Sequence, residues 1–211
     1  DTGGGHRSVA EAIIEAIHRY FPDRFSTEMV DFFKEYAPPP FNLAPEIYPP
    51  MTSMPELWGF GYRISNGQRR TRIFYNLMWP FLRRRSARLQ NEHAYDLLVS
   101  VHPVPVIPYS RSLQPGSPPF ITVITDLVST HAFWFDHRSD LVLVPTEIAR
   151  RCGLAYGLRP KQIRVTGLPV VQRFCQPVED RRLIRARLGW PVDLPVILLV
   201  AGGDGMGPID K

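Results

Sequence analysis

The amino-acid sequence predicts an α/β fold with a doubly wound parallel sheet. Short continuous runs of apolar residues alternate with segments of helical spacing along much of its 211 residues. Such runs are typical of strands that are covered on both faces. The hydrophobic fraction of 44% suffices for a substantial core, and the length predicts one large domain or one and a half.

The chain begins with a glycine-rich segment, residues 1–8, that leads into an amphipathic helix. Three consecutive glycines allow a turn with positive φ and leave backbone N–H groups accessible to a ligand. The helix is predicted to begin near Ser8, and its N-terminus favours an anion. His6 lies at the mouth of this turn and ordinarily titrates near neutrality. A plain glycine turn with a solvated histidine explains the same residues equally well.

The remaining elements follow from apolar spacing. A helix that packs on the sheet is predicted from Ser8 to Tyr20, ending before Pro22, and residues 25–31 are predicted to form a strand. Helices are also predicted after Thr146 and over residues 179–188. Ligands of open α/β sheets bind outside the carboxyl ends of the strands, so residues that follow strands are candidates for a site. Further strands are predicted at residues 97–101, 120–125, 141–144, 163–166 and 196–201.

A different segment, residues 32–93, interrupts the regular pattern. Prolines between Pro38 and Pro55 are incompatible with a regular helix or a central strand there, and aromatic residues are dense. Apolar residues from Ile73 to Leu82 then recur at helical spacing, with arginines on both sides. This helix either packs on the core with a solvated arginine face or lies at an anionic membrane interface. The candidates for membrane contact are Trp79, Arg83, Arg84 and Arg85.

Several common sites are disfavoured by residue spacing. The sequence contains no P-loop, nucleophile elbow or Asp-x-Asp pair, and Ser8 replaces the third glycine of a dinucleotide fingerprint. The histidines lie on separate predicted loops without metal-ligand spacing, and Cys152 and Cys175 fit no disulfide or metal pattern. We therefore expect neither a metal nor another cofactor. The net charge of +5 favours anionic partners, but no nucleic-acid-binding signature accompanies it, so nucleic acid is not expected.

Five segments, in the same order, resemble landmarks of the monogalactosyldiacylglycerol synthases and the bacterial diacylglycerol glucosyltransferases. A more distant similarity is to the lipid-linked N-acetylglucosaminyltransferase of peptidoglycan synthesis. Asp204 stands where the family pattern has Glu, which keeps the charge. The segments are Asp1-Thr2-Gly3-Gly4-Gly5-His6-Arg7-Ser8, Thr125-Asp126-Leu127 with His131 and Trp134-Phe135, Val144-Pro145-Thr146-Glu147, Gly167-Leu168-Pro169-Val170 and Gly202-Gly203-Asp204-Gly205-Met206-Gly207.

The resemblance implies a GT-B arrangement of two facing Rossmann-like domains, with the acceptor bound mainly by the first and the nucleotide sugar mainly by the second. Residues 1–170 are then expected to be the acceptor-binding domain, with segment 32–93 inserted. Residues 171–211 are expected to be a linker and the start of the donor-binding domain. Both ends look truncated, so we expect this 211-residue piece to transfer no sugar alone.

The implied reaction is an inverting transfer of a hexose from a UDP-sugar, a co-substrate, to the hydroxyl of diacylglycerol. The resemblance implies His6 as the general base, and Asp126 either orients it or binds the acceptor. Trp134 is also expected at an acyl chain or at the membrane interface, because three consecutive aromatic residues expose at least one ring. The remaining acceptor or lipid candidates are Thr2, Gly4, Gly5 and His131, and the donor-phosphate candidates are Gly3, Gly203, Asp204 and Gly205.

A non-catalytic membrane- or lipid-binding module is the alternative, in which the arginine-flanked helix is essential and His6 is dispensable. A nucleotide-sugar epimerase is a weaker third possibility, since the insertion has no purpose there. No apolar run reaches transmembrane length, and two unpaired cysteines fit a reducing compartment. We therefore expect a peripheral protein on the cytoplasmic, inner face of a membrane. The sequence leaves open the choice of glucose or galactose, further sugar additions and the oligomeric state.

Overall fold

A four-stranded parallel sheet organises the fold, which confirms the predicted α/β class. The computed structural model describes residues 4–39, 41–47 and 55–199. The strands lie side by side in sequence order, with Val99 opposite Ile121, Thr122 opposite Val142 and Leu143 opposite Arg164. They are β1 (Leu98–Ser100), β2 (Phe120–Val123), β3 (Leu141–Val144) and β4 (Ile163–Val165), as predicted apart from their ends.

Helices surround this sheet in the described part of the chain. They are α1 (Gly4–Tyr20), α2 (Phe32–Tyr36), α3 (Pro55–Ser65), α4 (Gln68–Glu92), α5 (Pro103–Ser112), α6 (Glu147–Ala155) and α7 (Arg181–Arg187). Residues 44–47 form a helical turn, and 3₁₀ turns occur at Phe41–Leu43, Ala132–Trp134, Pro160–Gln162 and Gln172–Phe174. Helix α5 connects β1 to β2 and helix α6 connects β3 to β4, which is the arrangement that parallel strands require.

The main core lies between the sheet, α2 and α5. Val142 and Val144 of β3 and Phe120 of β2 are completely buried, and the Tyr109 ring of α5 packs 4.7 Å from that of Phe120. Helix α2 adds aromatic side chains to the same cluster. Burial alternates along β3, where Val142 and Val144 are buried and Leu141 and Leu143 are partly buried, so the described chain covers one face of the sheet more completely than the other.

Two strand predictions are wrong. Residues 25–31 pair with no described strand, and Asp31 instead caps α2 by accepting bonds from the Phe33 and Lys34 amides at 3.1 and 3.2 Å. Residues 196–199 are also not in a strand, and Ile197 is 85% exposed. In both cases the apolar pattern is present but no described neighbouring strand supplies the hydrogen bonds that a strand needs.

Two helix predictions need correction. Of the apolar positions in α1, only Val9 and Ala12 are buried and Tyr20 is 65% exposed, so the described chain covers only the first half of the predicted packing face. Helix α3 begins within the proline-rich segment. Pro55 is tolerated because it occupies the first helical position, where its missing N–H has no intrahelical role.

The predicted arginine-flanked helix is confirmed as α4, but it has two apolar faces. One face packs on the core through Tyr75, Leu82 and Leu89, and the Tyr75 hydroxyl donates to the Val104 carbonyl at 3.0 Å. A second row of apolar residues is exposed on the opposite side of the helix. We call it the α4 apolar row, and it comprises Ile73, Leu77 and Phe81, which are 51%, 70% and 63% exposed.

Candidate active site at the carboxyl ends of β1 and β2

The loops that leave β1 and β2 meet the first turn of α1, and a histidine from α1 lies between them. The His6 ring is partly buried. Its Nδ1 lies 3.0 Å from the Thr125 hydroxyl oxygen, two residues beyond the end of β2. The His102 ring, from the loop after β1, lies 4.4 Å from the His6 ring between centroids. A cluster of polar side chains therefore lies at the edge of the sheet where a ligand is predicted to bind.

The predicted glycine turn before the helix is wrong for the described residues. Gly4, Gly5 and His6 form the first turn of α1, so the helix begins four residues before Ser8. Neither glycine has a left-handed φ, and a Cβ at either position meets no atom within 4 Å. Glycine is tolerated here because the first N–H groups of a helix have no intrahelical acceptor to lose. The open space in front of these glycines leaves the backbone of this turn accessible.

The environment of His6 favours its unprotonated form. Burial lowers the pKa of His6 below its ordinary value, while the Asp126 carboxylate and the Val101 carbonyl act in the opposite direction. The net shift is downward, so the imidazole is neutral near pH 7 and has a nitrogen able to take a proton. A neutral imidazole beside a carboxylate is the combination that a general base needs, since the carboxylate stabilises the imidazolium once it forms.

Asp126 acts on His6 through its charge and is not its hydrogen-bond partner. The Asp126 Oδ2 atom accepts a bond from the Trp134 indole nitrogen at 2.7 Å, while Thr125 contacts His6. Thr125 is thus a site residue that the sequence reasoning missed. The available signal was its position at the end of the predicted strand 120–125, directly before Asp126.

The interface role predicted for Trp134 is wrong. Its side chain has no exposed surface, and its ring lies 5.9 Å from that of His6 between centroids. A completely buried indole contacts neither acyl chains nor lipid headgroups. Its burial and its bond to Asp126 instead indicate that Trp134 supports the site from the interior of the protein. Of the three consecutive aromatic residues, Phe133 is the one that keeps partial exposure, while Phe135 is buried.

His131 holds neighbouring elements together with both ring nitrogens. Its Nδ1 accepts a bond from the Phe133 amide at 3.1 Å, and its Nε2 lies 3.1 Å from the Ser65 hydroxyl of α3. Burial lowers the pKa of His131 to about 4, which keeps the ring neutral. The Tyr62 hydroxyl adds a bond to the Ser129 carbonyl at 3.1 Å. A His131 nitrogen could contact the predicted lipid acceptor only if its bond with the Phe133 amide or with the Ser65 hydroxyl were broken.

The four predicted membrane-contact residues divide into two pairs. Arg83 and Arg84 are exposed on α4. Arg85 donates to the Ala37 carbonyl at 3.1 Å, and Trp79 is half-buried with the Arg111 guanidinium 5.7 Å from its ring centroid. Arg85 and Trp79 therefore take part in internal contacts.

An open pocket of about 420 Å³ lies between α3 and the start of α4, lined by Phe60, Tyr62, Arg63, Ile64, Asn66 and Arg70.

Some predicted residues lie outside the described part of the chain. They are Thr2, Gly3, Gly203, Asp204 and Gly205. Among the residues that are described, no three His, Cys, Asp or Glu side chains cluster closely enough to hold a metal ion. In that same part, no helix combines the length and the apolar character needed to cross a membrane.

The parallel sheet with its polar cluster at the strand ends defines a Rossmann-like α/β domain. The family model described as "Monogalactosyldiacylglycerol (MGDG) synthase" matches residues 6–170. The chain belongs to this family, which confirms the resemblance. The match begins at His6 and includes β1 to β4.

Plant proteins are similar over the whole chain. A probable monogalactosyldiacylglycerol synthase, chloroplastic, of Nicotiana tabacum is 36% identical over 215 residues, which are 100% of this chain and 40% of the relative. Monogalactosyldiacylglycerol synthase, chloroplastic, of Spinacia oleracea is 37% identical over 216 residues, and monogalactosyldiacylglycerol synthase 1, chloroplastic, of Arabidopsis thaliana is 36% identical over 216 residues. These alignments cover 100% of this chain and 41% and 40% of the two relatives. The chain thus spans about 40% of the length of these curated relatives.

Proposed function

We propose that this chain is the acceptor-binding part of a glycosyltransferase that transfers a hexose from a UDP-sugar to diacylglycerol. The carrying observation is the partly buried His6 imidazole at the carboxyl ends of the strands, whose Nδ1 lies 3.0 Å from the Thr125 hydroxyl and on which the Asp126 carboxylate acts electrostatically. Membership of the monogalactosyldiacylglycerol synthase family supports the reaction class. Residues 1–170 carry the acceptor site, and residues 171–211 begin the donor-binding domain.

In the proposed mechanism His6 is the general base. The hydroxyl oxygen of diacylglycerol attacks the anomeric carbon of the hexose as its proton passes to the imidazole of His6. The bond from the anomeric carbon to the diphosphate oxygen breaks, UDP leaves with that electron pair, and the configuration inverts. The Asp126 carboxylate stabilises the imidazolium that forms. Gly3, Gly203, Asp204 and Gly205 are proposed at the donor diphosphate, where backbone N–H groups offset its charge.

The acceptor is a lipid, so the protein must reach a membrane surface. The α4 apolar row ends beside exposed Arg83 and Arg84, which pairs apolar surface with positive charge. Apolar surface of this kind inserts at the boundary of the acyl chains, and arginine attracts anionic headgroups. We therefore place peripheral membrane association at this face, on the cytoplasmic side where the sequence led us to expect it.

The test is glycolipid formation by the intact protein. Vesicles containing diacylglycerol and anionic phospholipid are supplied with labelled UDP-galactose or UDP-glucose, and the lipid products and their anomeric configuration are determined. His6→Ala is expected to lower the rate constant of transfer by about 10²- to 10⁴-fold while vesicle binding is retained. His18→Ala is the matched control, because His18 is an exposed histidine on the same helix. Wild-type rates for His6→Ala overturn the base assignment.

A non-catalytic membrane-binding module is the second candidate, and the exposed α4 apolar row favours it. The two functions differ in what they require. The module needs the α4 row and its arginines and is indifferent to His6, whereas the transferase needs both. Vesicle binding without labelling of lipid from either UDP-sugar supports the module and contradicts the transferase.

A further inference from the structure

A second imidazole is in contact with the His6 ring. The planes of His6 and His102 are inclined at 65° with centroids 4.4 Å apart, so the edge of one ring meets the face of the other. Phe33 makes a similar edge contact with His102, at 5.0 Å and 89°. The sequence reasoning placed these two histidines on separate loops, and the fold brings them together. Their contact falls at the proposed reacting group.

One nitrogen of His102 has a fixed role in the backbone. His102 is the N-cap of α5, and its Nδ1 accepts a bond from the Val104 amide at 3.2 Å. A ring nitrogen that accepts a hydrogen bond carries no proton, so the proton of the neutral ring is on Nε2. Burial and the nearby His6 hold the pKa of His102 well below its ordinary value. The ring against His6 is thus a neutral imidazole of defined tautomer.

We propose that His102 is a positioning residue for the transfer reaction, whose neutral ring fixes the orientation of the His6 imidazole and shields it from water. The proposal rests on the assignment of His6 as the base. A neutral ring restricts the rotation of His6 without repelling the imidazolium that forms there. The Asp126 carboxylate acts on the pKa of His6 by favouring its protonated form, and His6 in turn lowers the pKa of His102.

Two substitutions separate the ring contact from the capping role. Asparagine is a good N-cap residue, so His102→Asn keeps the acceptor for the Val104 amide and removes the ring. Phenylalanine keeps an aromatic ring beside His6 and removes the cap. A purely structural role for His102 predicts that His102→Phe is the more damaging change. A positioning role predicts that His102→Asn is.

The first readout is the titration of the His6 ring in the intact protein, followed by NMR and assigned with His6→Ala. In His102→Asn, water reaches His6 and relieves the burial that lowers its pKa, so the His6 midpoint is expected to rise. The acid limb of the transfer rate shifts to higher pH with it, and kcat falls about tenfold or more because the base is less well oriented. In His102→Phe, the midpoint stays near that of the wild type while the Tm falls.

These outcomes also separate this proposal from the proposed function. The NMR titration reports on the two rings without any sugar transfer, so it tests the contact between them even if His6→Ala leaves the reaction unchanged. An unchanged His6 midpoint and kcat in His102→Asn overturn the positioning role. An equal shift of the midpoint in His102→Phe also overturns it, since the cap rather than the ring then determines the environment of His6.

Discussion

The imidazole of His6 shows how a single side chain acquires a function from its surroundings. Helix α1 carries two histidines, and they differ in burial and in partners. His18 is exposed and contacts the Thr27 hydroxyl at 3.0 Å, whereas His6 is partly buried against Thr125, His102 and Trp134. Burial disfavours the charged form of an imidazole and holds the pKa of His6 below its ordinary value. This difference makes His6 the stronger candidate for a base.

The sequence predicted His6 and Asp126 as partners but could not show which group contacts which. The resemblance pointed to both residues. The His6 Nδ1 atom lies within hydrogen-bond distance of the Thr125 hydroxyl, and the Asp126 carboxylate accepts from a buried indole. Which side chains pair here depends on where the first turn of α1 lies relative to the end of β2. No local sequence pattern encodes that position. For the same reason the contact between His6 and His102 was not predictable.

Thr125→Val tests the hydroxyl that contacts His6. Valine has nearly the same shape and lacks the donor and acceptor, so we expect the kcat of hexose transfer to fall about three- to tenfold, the equivalent of one net hydrogen bond. The KM for the UDP-sugar is expected to stay constant, because Thr125 belongs to the part of the chain that is proposed to bind the acceptor. Thr125→Ser keeps the hydroxyl and is the matched control. Equal loss in both variants argues against a role for this bond.

At the scale of the element, α4 has both a face packed on the core and an exposed apolar row, which the sequence posed as alternatives. The predicted apolar stripe from Ile73 to Leu82 is real, but its members divide between the core and the surface. Helical spacing shows that apolar side chains share one side of a helix, but it does not show which of them the core covers. The length of α4, 25 residues, and its contacts with α5 decide that division.

Two leucines of α4 separate folding from membrane binding. Leu89→Ala removes a buried side chain, and we expect it to lower the free energy of unfolding by about 2–5 kcal/mol. Leu77→Ser changes an exposed side chain, so the Tm stays near wild type while the affinity for anionic vesicles decreases. Thermal unfolding and vesicle co-sedimentation measure both. Unchanged vesicle affinity in Leu77→Ser excludes the α4 apolar row from the membrane contact.

Helix α6 packs so closely on the sheet that one position requires glycine. A Cβ at Gly153 would lie 2.5 Å from Ile163 Cδ1 and 3.2 Å from Leu158 Cδ1. Gly153→Ala is therefore expected to cost about 1–3 kcal/mol of stability in denaturant unfolding. Gly61→Ala in α3 is the matched control, because a Cβ there meets no atom within 4 Å. Equal stability of the two variants would show that the core around β4 has room to adjust.

At the scale of the whole molecule, the positions of four strands and their parallel direction were the most predictable features. Four apolar runs correspond to β1 to β4, although Val99 of β1 and Val165 of β4 are exposed in the described chain. The runs at residues 25–31 and 196–199 have similar composition but no described partner strand. Pairing is a property of the assembled sheet, so local sequence overestimates the number of strands. The boundary near residue 170 stays a prediction.

The acceptor and donor sites are proposed to lie on separate domains, and this proposal gives a prediction for the isolated chain. Residues 1–211 span about 40% of the length of the relatives, so we expect the purified piece to form no labelled glycolipid from a UDP-sugar. The same preparation is expected to bind anionic vesicles through α4, which serves as the control for folding. Detectable glycolipid from the piece would contradict the assignment of the donor site to a separate domain.

The pH dependence of single-turnover transfer by the intact protein tests the central claim, that His6 is the base, most directly. The base must be unprotonated, and burial holds the pKa of His6 below its ordinary value of 6.5. The acid limb of the wild-type rate constant is therefore predicted to have its midpoint below pH 6.5. His6→Ala is predicted to be slow throughout and to lack this acid limb. An acid limb that persists in His6→Ala, or a wild-type midpoint above 6.5, would contradict the account.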